Sequence, residues 1–187
     1  MTQKEIAEDI QQAVQTMRSG GLILYPTDTI WGIGCDARNR EAVERIYAIK
    51  ERDHSKSMII LIPDFQDFPL PPDSRPTTYI LPRSIWHDDM HLDVADNIPA
   101  ADGTLGIRIP QHLFCQEVIR RLGAPLVSTS ANLSGHPSPK NYNEIEEELK
   151  RRIDFCVPPF PELLSSETSG SRIVKINPDG TTTVLRP

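Results

Sequence analysis

Apolar positions along the chain switch between a helical and an alternating or continuous period, and the switches mark out its elements. Over residues 2–18, Ile6, Ile10, Val14 and Met17 recur at helical intervals, which predicts an amphipathic helix. Thr2 and Glu5 stand before it at capping-box spacing, and Ser19-Gly20-Gly21 ends it. Leu22-Ile23-Leu24-Tyr25 reads as a short buried strand cut off by Pro26. A polar PTDT segment and a glycine-punctuated WGIGC piece follow. The next helix is predicted over 39–50, with Asn39 as its cap and Ala42, Val43, Ile46 and Ile49 on one face.

Met58 to Ile62 is apolar enough for a buried strand, and 63–77, rich in Pro and Asp, reads as a surface excursion. Strands are expected at 78–81, 105–109 and 125–128, and 83–103 shows no usable period and reads as loop. Residues 112–122 form a predicted helix closed by Gly123. Asn143 and Glu146 suggest a capped helix to about Arg152, then a strand at 155–157 and a Pro/Ser-rich link over 158–170. The chain finishes as a hairpin, with strands at 173–176 and 182–186 around an Asn-Pro-Asp-Gly turn. Helices and strands interleave without repeats or a composition break. The expectation is therefore one α/β (α+β) domain over residues 1–187, with a mixed sheet because the terminal hairpin is antiparallel.

Composition narrows the function classes. The chain has 187 residues, 38% hydrophobic and 25% charged, which suits an ordinary globule with a real core. No apolar run approaches the roughly 20 residues of a membrane span. The N-terminal MTQKEIAEDI has no apolar signal core, so a cytoplasmic protein without membrane contact is expected. Cys35, Cys115 and Cys156 are odd in number and widely spaced, which points to reduced thiols in the core. The formal net charge of −6 argues against a general nucleic-acid binder, since phosphate neutralisation supplies most of such affinity. A catalytic anion site must then be assembled from a few local cations.

Three polar clusters follow apolar segments: PTDT, Lys50-Glu51-Arg52 and STSAN. In layered α/β domains such positions expose backbone N–H groups at strand ends and gather ligands. Each has a plain structural reading as well: a turn, cations complementing a helix dipole, and hydroxyls capping a turn. The sequence contains no GxxxxGK[ST] loop and no G-x-S-x-G elbow, and its five histidines lack metal-ligand spacing, so no metal held by side chains is expected.

Taken together, GGLILYPTDTIWGIGCDA, IYAIKER, DGTLGIRIP and PLVSTSANLSG stand in one order and closely resemble the YrdC-like family of threonylcarbamoyl-adenylate synthases, from about Gly20 to Arg186. The resemblance implies a single-domain fold, a twisted mixed β-sheet flanked by helices around a concave cavity. It implies a catalytic tetrad of Lys50, Arg52, Ser130 and Asn132, threonine contacts from Thr29, Arg108, Ser130 and Ser171, and ATP contacts from Arg52, Lys56, Thr104, Asn132, Lys140 and Arg186. The reactants would be L-threonine, bicarbonate and ATP, with Mg²⁺ accompanying ATP and no tightly bound organic cofactor. Clustered Lys and Arg would offset the repulsion among three anions, and Ser and Asn would orient them without adding charge.

The resemblance further implies that the product, threonylcarbamoyl-AMP, feeds tRNA N6-threonylcarbamoyladenosine formation through transient contact with a transferase complex. Weak contact with tRNA or structured RNA is left open. The alternative is a non-catalytic YrdC-like protein that binds RNA or serves ribosome maturation. Retention of K-x-R and S-A-N disfavours it. Departures from the family pattern include Lys56 in place of Asn, Ser57-Met58 in place of Pro-Leu, the apolar Leu61, and Ser171-Arg172 in place of Ser-Thr.

Overall fold

The structure is a computed structural model that describes residues 3–51, 58–63, 75–159 and 170–187. Helix α1 spans Gln3–Arg18, α2 Arg40–Lys50, α3 Leu113–Leu122 and α4 Glu147–Arg151. The strands are β1 (Ile23–Tyr25), β2 (Gly32–Gly34), β3 (Ile59–Leu61), β4 (Thr77–Leu81), β5 (Leu105–Arg108), β6 (Leu126–Ser130), β7 (Phe155–Cys156), β8 (Arg172–Ile176) and β9 (Thr182–Arg186). Among the described residues these form one sheet in the order β7-β1-β2-β6-β3-β5-β4-β8-β9. Three neighbouring pairs are parallel, β1/β7, β3/β5 and β4/β8, and the remainder are antiparallel. The expected mixed sheet is thus present.

The central strands divide their side chains between two cores because successive residues point to opposite faces. Leu22, Leu24, Ile60, Ile62 and Val127 pack with α2 residues Val43, Ile46 and Tyr47. Ile23, Tyr25, Leu61 and Leu126 pack instead with Met17 of α1 and Phe114, Val118 and Leu122 of α3. Asn39 caps α2, its side chain accepting from Ala42 N, and Gly123 closes α3 in the left-handed conformation at φ 70°.

Several elements differ from expectation. Gly32–Gly34 is a strand, β2, paired with both β1 and β6. Its glycines are required by close approach: a Cβ on Gly34 would fall on Val127 O and lie 2.9 Å from the Tyr25 ring. The stretch 83–103 is not plain loop. Ser84–Asp89 forms a wide helical turn, and Trp86, Met90, Ala95 and Ile98 enter the core. The helix expected over 143–152 splits into a tight turn at Tyr142–Glu144, capped by Asn141 rather than Asn143, and the short α4. Asn141 wins because its side chain accepts from both Asn143 N and Glu144 N. The expected Thr2 cap, most of the 63–77 excursion and most of the 158–170 link lie outside the described residues.

Candidate functional site

Cross-strand partners point to the same side of a sheet, so the pairs Gly32↔Ser130, Ile59↔Gly106, Ile59↔Ser128 and Thr78↔Ile173 share one face. Glycine and serine are small, and on that face they leave a hollow where α1 and α3 do not cover the sheet. The result is a cavity of about 310 Å³, the small end of the range for ligand pockets. Gly106 forms part of its floor; a Cβ there would lie 2.8 Å from Ile59 Cγ2.

Arg108, at the end of β5, is the fixed cation of this cavity. Its Nη1 donates to Thr29 Oγ1 at 3.0 Å and its Nη2 to Asp28 Oδ1 at 3.1 Å. Asp28 Oδ2 accepts from Gln111 N at 3.1 Å, which holds the carboxylate in turn. Arg108 is only 3% exposed, and its Nε has no hydrogen-bond partner among the described residues. A buried donor left open costs free energy unless a ligand completes it. The PTDT turn orders its own hydroxyls. Thr27 Oγ1 accepts from Thr29 N and donates to Ile30 O, so the Thr29 hydroxyl is the donor in its 3.0 Å contact with Thr27. Thr29 then receives Arg108 with its free lone pair.

The opposite wall comes from the C-terminal hairpin. Ser171 Oγ and Thr78 Oγ1 share a hydrogen bond of 2.7 Å. Arg186 Nε donates to Ser171 O at 2.8 Å, and its guanidinium lies over Gly170, where a Cβ would come within 2.9 Å of Nη2. Arg186 therefore bends over the rim because Gly170 offers bare main chain.

The structure brings Thr29, Arg108, Ser130, Ser171 and Arg186 of the expected set to this one cavity. Lys50 stands behind the wall. It is 2% exposed, and its Nζ donates to the main-chain oxygens of Ser130 at 2.5 Å and Asn132 at 2.7 Å. The Asn132 amide nitrogen donates to Leu133 O and His136 O, while its Oδ1 is buried without a partner among the described residues. Three expected ATP contacts, Asn132, Thr104 and Lys140, lie apart from the cavity lining. Thr104 Oγ1 donates to Asp102 Oδ1 at 2.7 Å, and the exposed Lys140 is held through its N–H by Glu144. Arg52 and Lys56 lie outside the described residues.

The sequence reading missed the lining residues Thr27, Trp31, Thr78, Ser128 and Ser138, and it missed Asp28 as the carboxylate that holds Arg108. Thr27 and Asp28 carried a signal as members of the PTDT turn after a buried strand, and Trp31 and Ser128 stand inside the quoted WGIGC and STSAN segments; Thr78 and Ser138 carried none. Among the described residues, no three His, Cys, Asp or Glu side chains come together in a way that could hold a metal ion, and no helix is long and apolar enough to cross a membrane. Burial pushes the Cys35 and Cys115 thiols up, with nearby carboxylates adding to it at Asp36 and Asp28. Neither thiol is a ready nucleophile.

Comparison with known proteins accords with this geometry. The Sua5/YciO/YrdC family model, described as Telomere recombination, matches residues 15–187. The threonylcarbamoyl-AMP synthase of Stenotrophomonas maltophilia is 33% identical over 187 residues, covering 89% of this chain and 90% of the relative. That of Pseudomonas fluorescens is 32% identical over 162 residues, covering 79% and 83%. Among solved structures, Pyrococcus abyssi (P. abyssi) Sua5 complexed with L-threonine is similar at a TM-score of 0.76 and 26% identity, over 95% of this chain and 53% of that one. This chain thus spans about half of that protein's length. Escherichia coli YciO matches at a TM-score of 0.71 and 24% identity, covering 95% and 87%, a likeness of fold. With the PTDT turn, the Arg108 wall and the Ser130–Asn132 segment all built on that sheet, the chain belongs to the Sua5/YciO/YrdC family.

Proposed function

We propose that this protein condenses L-threonine, bicarbonate and ATP into threonylcarbamoyl-AMP, releasing pyrophosphate. The observation that carries the reading is the buried Arg108 beside a hydroxyl-lined hollow, oriented by Asp28 and Thr29 and with an Nε that has no hydrogen-bond partner among the described residues. Such a site suits a small carboxylate with polar substituents, because a fixed guanidinium matches carboxylate geometry. The relatives' names and the threonine in P. abyssi Sua5 support threonine as that ligand.

In this mechanism Arg108 holds the threonine carboxylate, and Thr29 and Ser171 meet its polar atoms. The threonine amine takes up bicarbonate, losing water, to form an N-carboxylate. An oxygen of that carbamate attacks the α-phosphorus of ATP, and the α–β bridging oxygen departs with pyrophosphate. The chain's task is to align three anions and offset their repulsion. Arg186 closes the rim on the ATP side, Arg52, Lys56, Thr104 and Lys140 are assigned to ATP, and Ser130 and Asn132 face the reacting groups. Mg²⁺ would arrive with ATP and supply charge neutralisation, held by phosphate and water. Residues 1–187 act as one domain in the cytoplasm, and the product passes to a separate transferase that modifies tRNA.

The test is an omission series with purified protein. Pyrophosphate should form only when threonine, bicarbonate, ATP and Mg²⁺ are all present, with threonylcarbamoyl-AMP identified by mass. Equal pyrophosphate without threonine would overturn the proposal.

A further inference from the structure

Three hydrogen bonds tie Lys50 to one short segment that lies 80–84 residues away in sequence. Its ammonium donates to the carbonyls of Ser130 and Asn132, at 2.5 and 2.7 Å, and its own carbonyl accepts from Ser134 N at 3.0 Å. The helix stops there to make this possible: Glu51 turns left-handed at φ 49°, ψ 41° immediately after Lys50. Between the two captured carbonyls, Ala131 N donates to Trp31 O at 3.0 Å, and Asn132 N donates back to Ser130 O at 2.9 Å. The segment after β6 is therefore fixed from two sides.

Burying an ammonium is costly unless its donors are satisfied, and here main-chain oxygens satisfy at least two of the three. With both carbonyls drawn toward α2, the Ser130 side chain is left at the cavity. The same bonds fix the backbone that carries the Asn132 amide, whose Oδ1 has no partner among the described residues. We infer that Lys50 is a positioning residue that acts through Ser130 and Asn132, and does not touch a reactant. The inference rests on the function proposed above and changes the work assigned to this lysine: a pin for the Ser130–Asn132 segment in place of an anion contact.

A double-mutant cycle tests it, using Lys50→Met, Asn132→Ala and the double variant. Near-UV circular dichroism and urea midpoints serve as controls for folding. Lys50→Met should lower kcat by about 100-fold, the cost of a misplacement near 1 Å, while the KM for ATP stays within about 3-fold. In the Asn132→Ala background the same substitution should cost no more than about 3-fold, because residues acting as a unit are not additive. Losses that multiply, or a KM for ATP that rises in step with the fall in kcat, would overturn the inference.

A second measurement needs no variant. In the wild-type protein Lys50 should resist an amine-acylating reagent equally with and without ATP, as read by peptide mass. Labelling in the free protein that ATP suppresses would show a contact with the nucleotide and end the argument. Absence of threonine-dependent pyrophosphate in the wild type would instead sink the proposed reaction and leave the labelling result readable by itself.

Discussion

Replacing Asp28 with Asn removes the carboxylate charge that pairs with Arg108 while keeping the side chain's shape. The pair is enclosed, with side-chain exposures of 4% for Arg108 and 11% for Asp28, and its Nη2–Oδ1 distance is 3.1 Å. At that distance the direct attraction is about 5 kcal/mol for an effective dielectric of about 20. The desolvation already spent on both groups offsets part of this in the intact protein. Removing one partner does not return it, because the guanidinium stays buried, and breaking such a pair costs about 3–5 kcal/mol. Opening of the cavity to water places Asp28→Asn at the lower end, about 3 kcal/mol. Urea denaturation followed by circular dichroism at pH 7 reads this as a lower midpoint with an unchanged slope. If threonine supplies a carboxylate to Arg108, saturating threonine should stabilise the variant by more than it stabilises the wild type. A loss below about 1 kcal/mol would show that Arg108 is solvated well enough to do without Asp28, and the picture of a buried, pre-oriented cation would be wrong.

Other expectations follow from packing and titration. Gly34→Ala should overpack β2 against Val127 O and the Tyr25 ring, costing about 1–3 kcal/mol or more in thermal or urea melts. Asn39→Ala should remove the α2 cap made to Ala42 N and lower stability by about 1 kcal/mol. In the native protein Cys156, half-buried, should react with a thiol reagent ahead of the fully enclosed Cys35 and Cys115; equal rates at all three would contradict the packing. Because burial raises the Cys35 and Cys115 thiols in the folded state, the unfolded chain loses those protons first. Stability should therefore fall as pH rises past the ordinary thiol range, by about 1.4 kcal/mol per pH unit per thiol, and Cys35→Ala with Cys115→Ala should flatten that slope.

The elements that were legible in the sequence are those whose apolar residues keep one period within a single segment. Helix α2 shows this: Ala42, Val43, Ile46 and Ile49 were on the expected face, and Asn39 caps it as expected. Strand β2 shows the opposite. Its GIG carries no β-branched run beyond one residue, and the need for two glycines comes from the Tyr25 ring and Val127, partners that no local pattern displays. The segment 83–103 misled for a related reason. Trp86, Met90, Ala95 and Ile98 are buried at spacings of four, five and three, which match neither period. At the site, the family likeness located Thr29, Arg108, Ser130, Ser171 and Arg186, whereas Thr78 and Ser128 lie on the cavity face only through strand register.

A chain with a formal charge of −6 can still present a site for anions because its cations are held in place by neutral or single acidic groups. Arg108 faces one carboxylate and one hydroxyl, Lys50 faces two carbonyls, and Arg186 faces the Ser171 carbonyl. Carbonyl oxygens orient a cation without cancelling its charge. Arg186 thus brings its positive charge to the rim of the cavity, and Arg108 keeps an Nε without a hydrogen-bond partner among the described residues. Orientation is fixed when the protein folds, so little reorganisation remains when the anions meet, which is the condition under which electrostatic stabilisation is most effective. The same logic explains the short, hydroxyl-rich side chains on the sheet face. Each hydroxyl can accept or donate as the ligand requires, and none adds a negative charge that would cancel what the arginines contribute.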